Sequence, residues 1–106
     1  MHKSDTEYKI LKILESNPNL TQRQIAKDLN LSLGKTNYVI RALINSGWVK
    51  LNNFKRSDRK IAYIYLLTPK GVAQKSQLAK TFLTRKLYEY NKLKEEIEML
   101  KKETLK

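Results

Sequence analysis

The sequence predicts a mainly α-helical fold with a small β-hairpin (α+β), in which three short helices precede the hairpin and one long helix follows it. Three observations support this prediction. Apolar residues recur at helical spacing as far as Asn45, two runs rich in β-branched and aromatic residues follow Gly47, and neither glycine nor proline occurs after Gly71. With 106 residues the chain can bury one modest core, so we expect one domain with an appendage.

The first helix is expected from about Asp5 to Ser16. The segment "DTEYKILKILES" places its apolar side chains on one helical stripe, and Asn17-Pro18-Asn19 then ends the helix. The residues of this stripe are Tyr8, Ile10, Leu11, Ile13 and Leu14.

Capping residues mark the next two helices. Thr21 and Gln24 have the spacing of a capping box, in which each side chain bonds the backbone N–H of the other residue. The second helix is therefore expected from about Gln22 to Leu29. Asn30 tolerates the left-handed conformation that ends a helix, and Ser32 is a good N-cap for the third. Because the connection is so short, the two helices must cross steeply, which is the helix-turn-helix pattern.

The third helix, residues 33–46, has two different faces at about 100° per residue. The inward face carries Leu33, Thr36, Val39, Ile40, Leu43 and Ile44. The opposite face carries Gly34, Tyr38, Arg41 and Asn45, with Lys35 beside them. A solvated face more often pairs Glu with Lys at i,i+4, whereas no acidic residue occurs between Asp28 and Asp58. Gly34 weakens the helix by roughly 1 kcal/mol relative to alanine, but it lets a phosphate backbone approach closely.

Two β-rich runs, "WVKLNNF" and "KIAYIYLLT", flank "KRSDRK" and predict a hairpin, or wing, with residues 52–60 at its basic tip. Basic loops of this kind can enter a minor groove of DNA, whose negative potential deepens where it narrows. Taken alone, the hairpin is equally consistent with a solvated loop. Beside a cationic third helix, we favour a nucleic-acid contact through Lys55, Arg56, Arg59 and Lys60.

The net charge of +12 is unevenly distributed. Residues 17–86 contain fourteen Lys and Arg against only Asp28 and Asp58, whereas residues 87–106 contain five Lys and five Glu. The positive charge therefore belongs to the compact part of the chain. It favours a polyanionic partner, because Lys and Arg that neutralise phosphates release condensed counterions. The alternative is a basic surface that serves solubility.

The sequence offers little for catalysis or metal binding. There is no cysteine and His2 is the only histidine, so no nucleophile and base pair, disulfide or zinc-thiolate site is available. Gly34-Lys35-Thr36 resembles the end of a nucleotide-binding loop, but the first glycine and the preceding strand of that motif are missing. We therefore expect no enzyme activity, no cofactor and no metal. With no apolar run near the roughly 18 residues of a membrane span and no signal peptide, we expect a soluble cytoplasmic protein without membrane contact.

Three features together resemble winged helix-turn-helix transcriptional regulators of the MarR superfamily: "LTQRQIAKDLNLSLGKTNYVIRALINSGWV", the basic hairpin and "YLLTPKG". The likeness is greatest to the short bacterial regulators called EPS-associated, which are linked by name to exopolysaccharide genes, and it extends from Tyr8 to about Leu100. In such regulators the third helix reads the major groove and the wing touches the backbone or minor groove. By position, the resemblance implies DNA contacts from Ser32, Gly34, Lys35, Asn37, Tyr38, Arg41, Lys55, Arg56, Arg59 and Lys60.

The resemblance implies a sequence-specific regulator that binds double-stranded DNA as a homodimer. We expect the DNA-binding domain over residues 5–71 and a dimerisation helix over residues 72–106. Larger relatives have further helical segments that line a pocket for small aromatic effectors, whereas only one short helix precedes the helix-turn-helix here, so a small-molecule effector is doubtful. The alternative function is a winged module that docks a partner protein through the domain surface and the C-terminal helix.

The C-terminal segment predicts one helix of about thirty residues after the Thr68-Pro69 cap. Its first half could pack on the winged domain or on a partner, and its second half approaches a heptad repeat that Lys86 interrupts. The residues expected at a dimer interface are Leu78, Phe82, Leu83, Tyr90, Leu93, Ile97 and Leu100. With Tyr90 at an a position and Leu93 at a d position, Glu at g faces Lys at e only in a parallel pair, so parallel pairing is expected.

Overall fold

The computed structural model of the chain describes residues 3–55, 58 and 61–105. Its elements are α1 (Lys3–Ser16), α2 (Gln22–Leu29), α3 (Leu33–Asn45), β1 (Val49–Lys55), β2 (Ile61–Leu67) and α4 (Pro69–Thr104). The strands pair antiparallel from Val49 with Leu67 to Lys55 with Ile61. The mainly helical fold with a small hairpin and a long C-terminal helix is thus confirmed, and α1 starts two residues earlier than the sequence indicated.

The turn between α2 and α3 is built from the expected caps. Thr21 and Gln24 form the capping box: the Thr21 Oγ1 accepts from the Gln24 N–H at 3.2 Å, and the Gln24 Oε1 accepts from the Thr21 N–H at 2.8 Å. Asn30 adopts the left-handed conformation (φ 54°) that ends α2. The Ser32 hydroxyl accepts from the Lys35 N–H at 3.0 Å, which satisfies one of the free donors at the start of α3.

The end of α3 turns the chain into the hairpin. Gly47 has φ 78°, a conformation that glycine adopts without steric penalty. The Gly47 N–H donates to the Ile44 carbonyl and the Trp48 N–H to the Leu43 carbonyl, both at 3.0 Å. These two bonds form a Schellman motif and satisfy carbonyls at the helix end.

The core lies between α1, α2, α3 and the base of the hairpin. Its buried side chains are Ile10, Leu11, Leu14, Ile25, Val39, Ile40, Leu43, Val49 and Tyr65. Thr36 is also fully buried, and Ile44 is half-buried, as the wheel for α3 indicated. Leu33 departs from the expectation, because 41% of its surface is exposed. It occupies the first turn of α3, where the helix starts beyond the edge of the core.

Tyr65 fixes the hairpin to the helix-turn-helix. Its ring is buried, its hydroxyl accepts from the Gln22 side-chain amide at 2.9 Å, and its N–H donates to the Pro18 carbonyl at 3.4 Å. The hairpin is therefore held to the turn between α1 and α2 by a backbone bond and to α2 by a side-chain bond.

The start of α4 is held tightly to the end of α3. The Thr68 hydroxyl donates to the Gly47 carbonyl at 2.6 Å and accepts from the Gly71 N–H at 3.0 Å, and the Thr68 N–H donates to the Trp48 carbonyl at 3.0 Å. Gly71 is buried so closely against this segment that a Cβ on it would lie 1.9 Å from the Trp48 carbonyl oxygen. Only glycine permits this approach of the two backbones.

The first half of α4 then runs along α1. Lys75 pairs with Glu15 at 2.5 Å, the Phe82 ring lies 5.4 Å from the Tyr8 ring, and Arg85 forms a partly buried ion pair with Asp5. Leu78 is half-buried and packs on the core cluster. Leu78 and Phe82, which the sequence placed in a dimer interface, therefore contact their own domain.

The second half of α4 extends away from the domain. Every residue from 87 to 105 is exposed, and the described residues span 70 × 27 × 21 Å. Among the residues expected at a dimer interface, Leu83, Tyr90, Leu93, Ile97 and Leu100 remain exposed in the single chain.

Candidate nucleic-acid interface

The outer face of α3 forms an exposed ridge. It consists of the residues that the sequence assigned to DNA contact on this helix, and all of them are exposed: Ser32, Gly34, Lys35, Asn37, Tyr38 and Arg41. Tyr38 is 69% exposed. Of these residues, Ser32 has a structural role as well, because its hydroxyl caps the helix. The ridge therefore presents amide, phenol, ammonium and guanidinium groups, which are the groups that bind phosphates and base edges.

Gly34 has no role in packing within the chain. A Cβ built at this position meets no other atom within 4 Å, and its φ does not lie in the left-handed region. A helical glycine that is neither crowded nor strained weakens the helix by up to about 1 kcal/mol for no intrachain gain. Gly34 therefore leaves open space on this face of α3, which a neighbouring surface could enter.

Two grooves flank the ridge. One, of about 270 Å³, lies between α3 and the start of α1 and is lined in part by Lys35, Tyr38 and Ala42. The other, of about 350 Å³, lies between α3 and β1 and is lined by Arg41, Ile44, Asn45 and Leu51. Because both grooves are recessed, the ridge stands out between them and can enter a concave surface.

The wing contributes exposed polar groups that the sequence analysis did not select. Asn53 on β1 and Tyr63 on β2 are paired across the hairpin and are both exposed, two residues beyond Leu51 and Tyr65 on the same strand face. Strand alternation alone would have placed them on the inward face with Tyr65, and they are exposed although they share that face. Arg56, Arg59 and Lys60 lie outside the described residues, and for Lys55 only the backbone is described.

The described residues contain little that suggests another kind of site. Within 3–55, 58 and 61–105, no three His, Cys, Asp or Glu side chains lie close enough to hold a metal ion. In the same residues, no helix combines the length and the apolar character that crossing a bilayer requires.

Comparison with known proteins agrees with this geometry. Residues 3–50 match the family model described as winged helix-turn-helix DNA-binding. No curated protein matches the sequence. Among solved structures, a MarR/EmrR family transcriptional regulator from Acinetobacter sp. ADP1 is similar at 21% identity and a TM-score of 0.61, over 76% of this chain and 56% of that one. The chain thus spans about half the length of that regulator.

Two further structures show the same likeness. A PadR-like transcriptional regulator from Bacillus cereus is similar at 17% identity and a TM-score of 0.70, over 82% of this chain and 89% of that one. The adhesin competence repressor from Streptococcus pyogenes is similar at 28% identity and a TM-score of 0.58, over 84% of this chain and 63% of that one. The chain therefore has the winged helix-turn-helix fold, its residues 3–50 are similar to the DNA-binding domains of that family, and it shares its fold with MarR-family and PadR-like transcriptional regulators.

Proposed function

We propose that the chain is a sequence-specific regulator of transcription that binds double-stranded DNA as a homodimer, with no enzymatic activity and in the cytoplasm. The observation that carries the proposal is the ridge on α3, which is exposed, free of acidic residues and interrupted by a glycine that the chain itself does not need. In the proposed complex this ridge lies in the major groove, and the basic wing lies on the phosphate backbone or in the minor groove.

The roles of individual residues follow from their chemistry. Arg41 is suited to the bidentate contact with guanine, and Asn37 to the corresponding contact with adenine. Lys35, at the start of α3, is suited to a phosphate. The wing residues Arg56 and Arg59 would add phosphate contacts, which strengthen binding to all sequences and make it depend on salt.

Binding to duplex DNA across a salt series tests the proposal. Arg41→Ala and Lys35→Ala should each weaken binding, and roughly 1–3 kcal/mol suits the loss of an arginine contact to guanine. Thermal unfolding should hardly change, because both side chains are exposed. Lys102→Ala is the matched control, since it removes one charge from an exposed position on the distal part of α4. If binding is unchanged in both α3 variants, the ridge is not the DNA-contacting face.

The proposed dimer uses the distal part of α4, so we assign DNA binding to residues 5–71 and pairing to residues 72–106. Leu93, Ile97 and Leu100 are exposed in the single chain and supply the attraction. In a parallel pair, Glu89 faces Lys94 of the second copy and Glu96 faces Lys101, whereas an antiparallel pair brings like charges together. Parallel pairing puts both domains at one end, where two α3 helices can meet half-sites about one DNA turn apart.

Charge contacts within one chain do not oppose this pairing. Lys86 lies 3.1 Å from Glu89, and Lys101 lies 3.6 Å from Glu98. All four side chains are more than half exposed. Such pairs contribute about 0–1 kcal/mol each, so they can exchange partners when a second copy binds.

Two outcomes distinguish the rival function, a winged module that docks a partner protein. DNA binding that weakens steeply as salt rises supports the regulator. No retention on duplex DNA at low salt, together with salt-insensitive binding to a protein, supports the docking module. The proposed targets are exopolysaccharide genes, on the resemblance of the sequence alone. Selection of bound fragments from the source genome tests this, and fragments unrelated to such genes would contradict it.

A further inference from the structure

The first half of α4 carries two neighbouring rows of side chains, and the rest of the chain covers mainly one of them. The inner row consists of Lys75, Leu78, Phe82 and Arg85. Lys75 and Arg85 make ion pairs with α1, Phe82 makes the ring contact with α1, and Leu78 packs on the core cluster. This side of the helix is therefore already occupied by the chain's own domain.

The proposed dimer pairs through a line of residues on the distal part of α4, here called the seam: Tyr90, Leu93, Ile97 and Leu100. The second row continues this seam toward the domain. Counting back in sevens from Ile97 and Tyr90 gives Leu83 and Ser76, and counting back from Leu100 and Leu93 gives Lys86, Ala79 and Val72. Val72 and Leu83 are 49% and 58% exposed, so the chain leaves apolar side chains uncovered at both ends of this row. Between them lie Ser76, which is exposed, and Ala79, which is half-buried, and both have small side chains.

Lys86 is the one charged residue in the row from Val72 to Leu100, and its charge is directed to one side. Its ammonium lies 3.1 Å from the Glu89 carboxylate and 5.3 Å from the centre of the Phe82 ring, which belongs to the inner row. In the single chain the ammonium group therefore lies at the edge of the seam next to the domain, and its aliphatic stem remains to line the seam.

We infer that the seam between two copies runs along α4 as far as Val72, and that the small residues Ser76 and Ala79 set the distance between the two recognition helices. Helices approach more closely where side chains at the contact are small. The seam would then begin one residue after Gly71, whose backbone is packed on Trp48 at the end of α3. The Thr68 hydroxyl also bonds the Gly47 carbonyl at the end of α3. A change in the distance between the two α4 helices near Val72 would therefore shift the α3 helices as well.

The inference rests on the proposed dimer, so the first experiment separates the two. The chain contains no cysteine, which allows single cysteines to be introduced cleanly. Ala79→Cys should cross-link to its twin on oxidation, and Ile97→Cys should do the same in the distal seam. Thr81→Cys, on the outer side of α4, is the control and should not cross-link. Failure of Ala79→Cys while Ile97→Cys succeeds overturns the inference and leaves the dimer intact; failure of both, with a monomer in sedimentation, removes the proposed dimer as well.

A second experiment tests the link to DNA. Ser76→Leu adds bulk to the seam at an exposed position, and Thr81→Leu adds bulk at an exposed position on the outer side. We expect Ser76→Leu to remain dimeric but to bind the selected operator about tenfold more weakly, and reselection from random duplexes to return a different half-site spacing. Thr81→Leu should keep both the affinity and the spacing. Equal behaviour of the two variants, with the parental spacing retained, would show that the seam does not extend to Ser76.

Discussion

Gly34 and Gly71 are both helical glycines, and a methyl group would have opposite effects at the two positions. At Gly34 the methyl group meets no other atom within 4 Å, whereas at Gly71 it meets the Trp48 carbonyl oxygen at 1.9 Å. The same substitution can therefore separate a glycine that serves the fold from one that serves a partner.

Gly34→Ala is expected to stabilise the protein and to weaken DNA binding. Alanine favours the helix by up to about 1 kcal/mol, so the thermal midpoint should rise by a few degrees. Operator affinity should fall by roughly tenfold, because the methyl group occupies space into which the DNA would come. Calorimetry and binding isotherms on the same preparation measure both effects. A more stable protein with unchanged affinity would show that DNA does not approach α3 at this residue.

At the scale of the element, α4 depends on its first turn for its attachment to the domain. Thr68 caps the helix and bonds the Gly47 carbonyl, and Gly71 lets the helix backbone lie against Trp48. The ion pairs and the Phe82–Tyr8 contact then align the first half of the helix with α1.

Gly71→Ala should therefore destabilise the domain strongly. The opposing atom belongs to the backbone and cannot rotate away, and forced overpacking of this kind weakens folding by about 1–3 kcal/mol or more. Urea unfolding should show a lower midpoint with a similar slope. Gly34→Ala, the same chemical change on an open helix face, is the control. A midpoint equal to that of the parent protein would contradict the close packing of α4 on Trp48.

Lys86 should limit the strength of the proposed dimer. Polar residues at seam positions select the register and the number of helices at the expense of stability. Lys86→Leu is expected to tighten dimerisation by tenfold or more, since a buried leucine contributes about 1.5–3 kcal/mol. Sedimentation equilibrium measures the change, with Lys102→Leu on the outer side of α4 as the control. Weaker dimerisation of Lys86→Leu would place Lys86 outside the seam.

At the scale of the whole molecule, folding and pairing use different parts of the chain. Leu78 is the residue of α4 that packs on the core cluster, and Arg85, two turns further on, still pairs with Asp5 of α1. Beyond residue 86 the described side chains are all exposed. At 1.5 Å per residue, α4 is about 54 Å long, so much of the helix lies beyond the domain.

Truncation after Lys86 should leave a folded protein that dimerises weakly and binds its operator poorly. The deleted residues contribute nothing to the core, so the unfolding midpoint should stay close to that of the parent protein. Loss of the distal seam removes Leu93, Ile97 and Leu100, and with them most of the apolar surface of the proposed dimer. Sedimentation and DNA titration measure the two losses. A truncated protein that binds the operator as tightly as the full chain would contradict pairing through the distal helix.

The sequence by itself determined the order of the elements and the caps between α2, α3 and the hairpin. The capping box at Thr21, the left-handed Asn30, the Ser32 cap and the turn at Gly47 all arise from hydrogen bonds between residues a few positions apart. Such interactions depend only on which residues lie a few positions apart, and this can be read from the sequence directly. The outward face of α3 could be predicted for the same reason, since its helical periodicity is local.

Only the tertiary structure decided which partner each side of α4 contacts. The apolar residues of the helix form one broad stripe in sequence, but the structure packs Leu78 on the core of the domain and Phe82 against Tyr8 of α1, and it leaves Leu83 exposed next to them. The exposure of Leu33 and the packing of Gly71 on Trp48 are likewise absent from any local pattern. Periodicity shows that a side chain needs an apolar partner, but the partner itself is fixed by contacts between residues far apart in the chain, as Phe82 with Tyr8 shows.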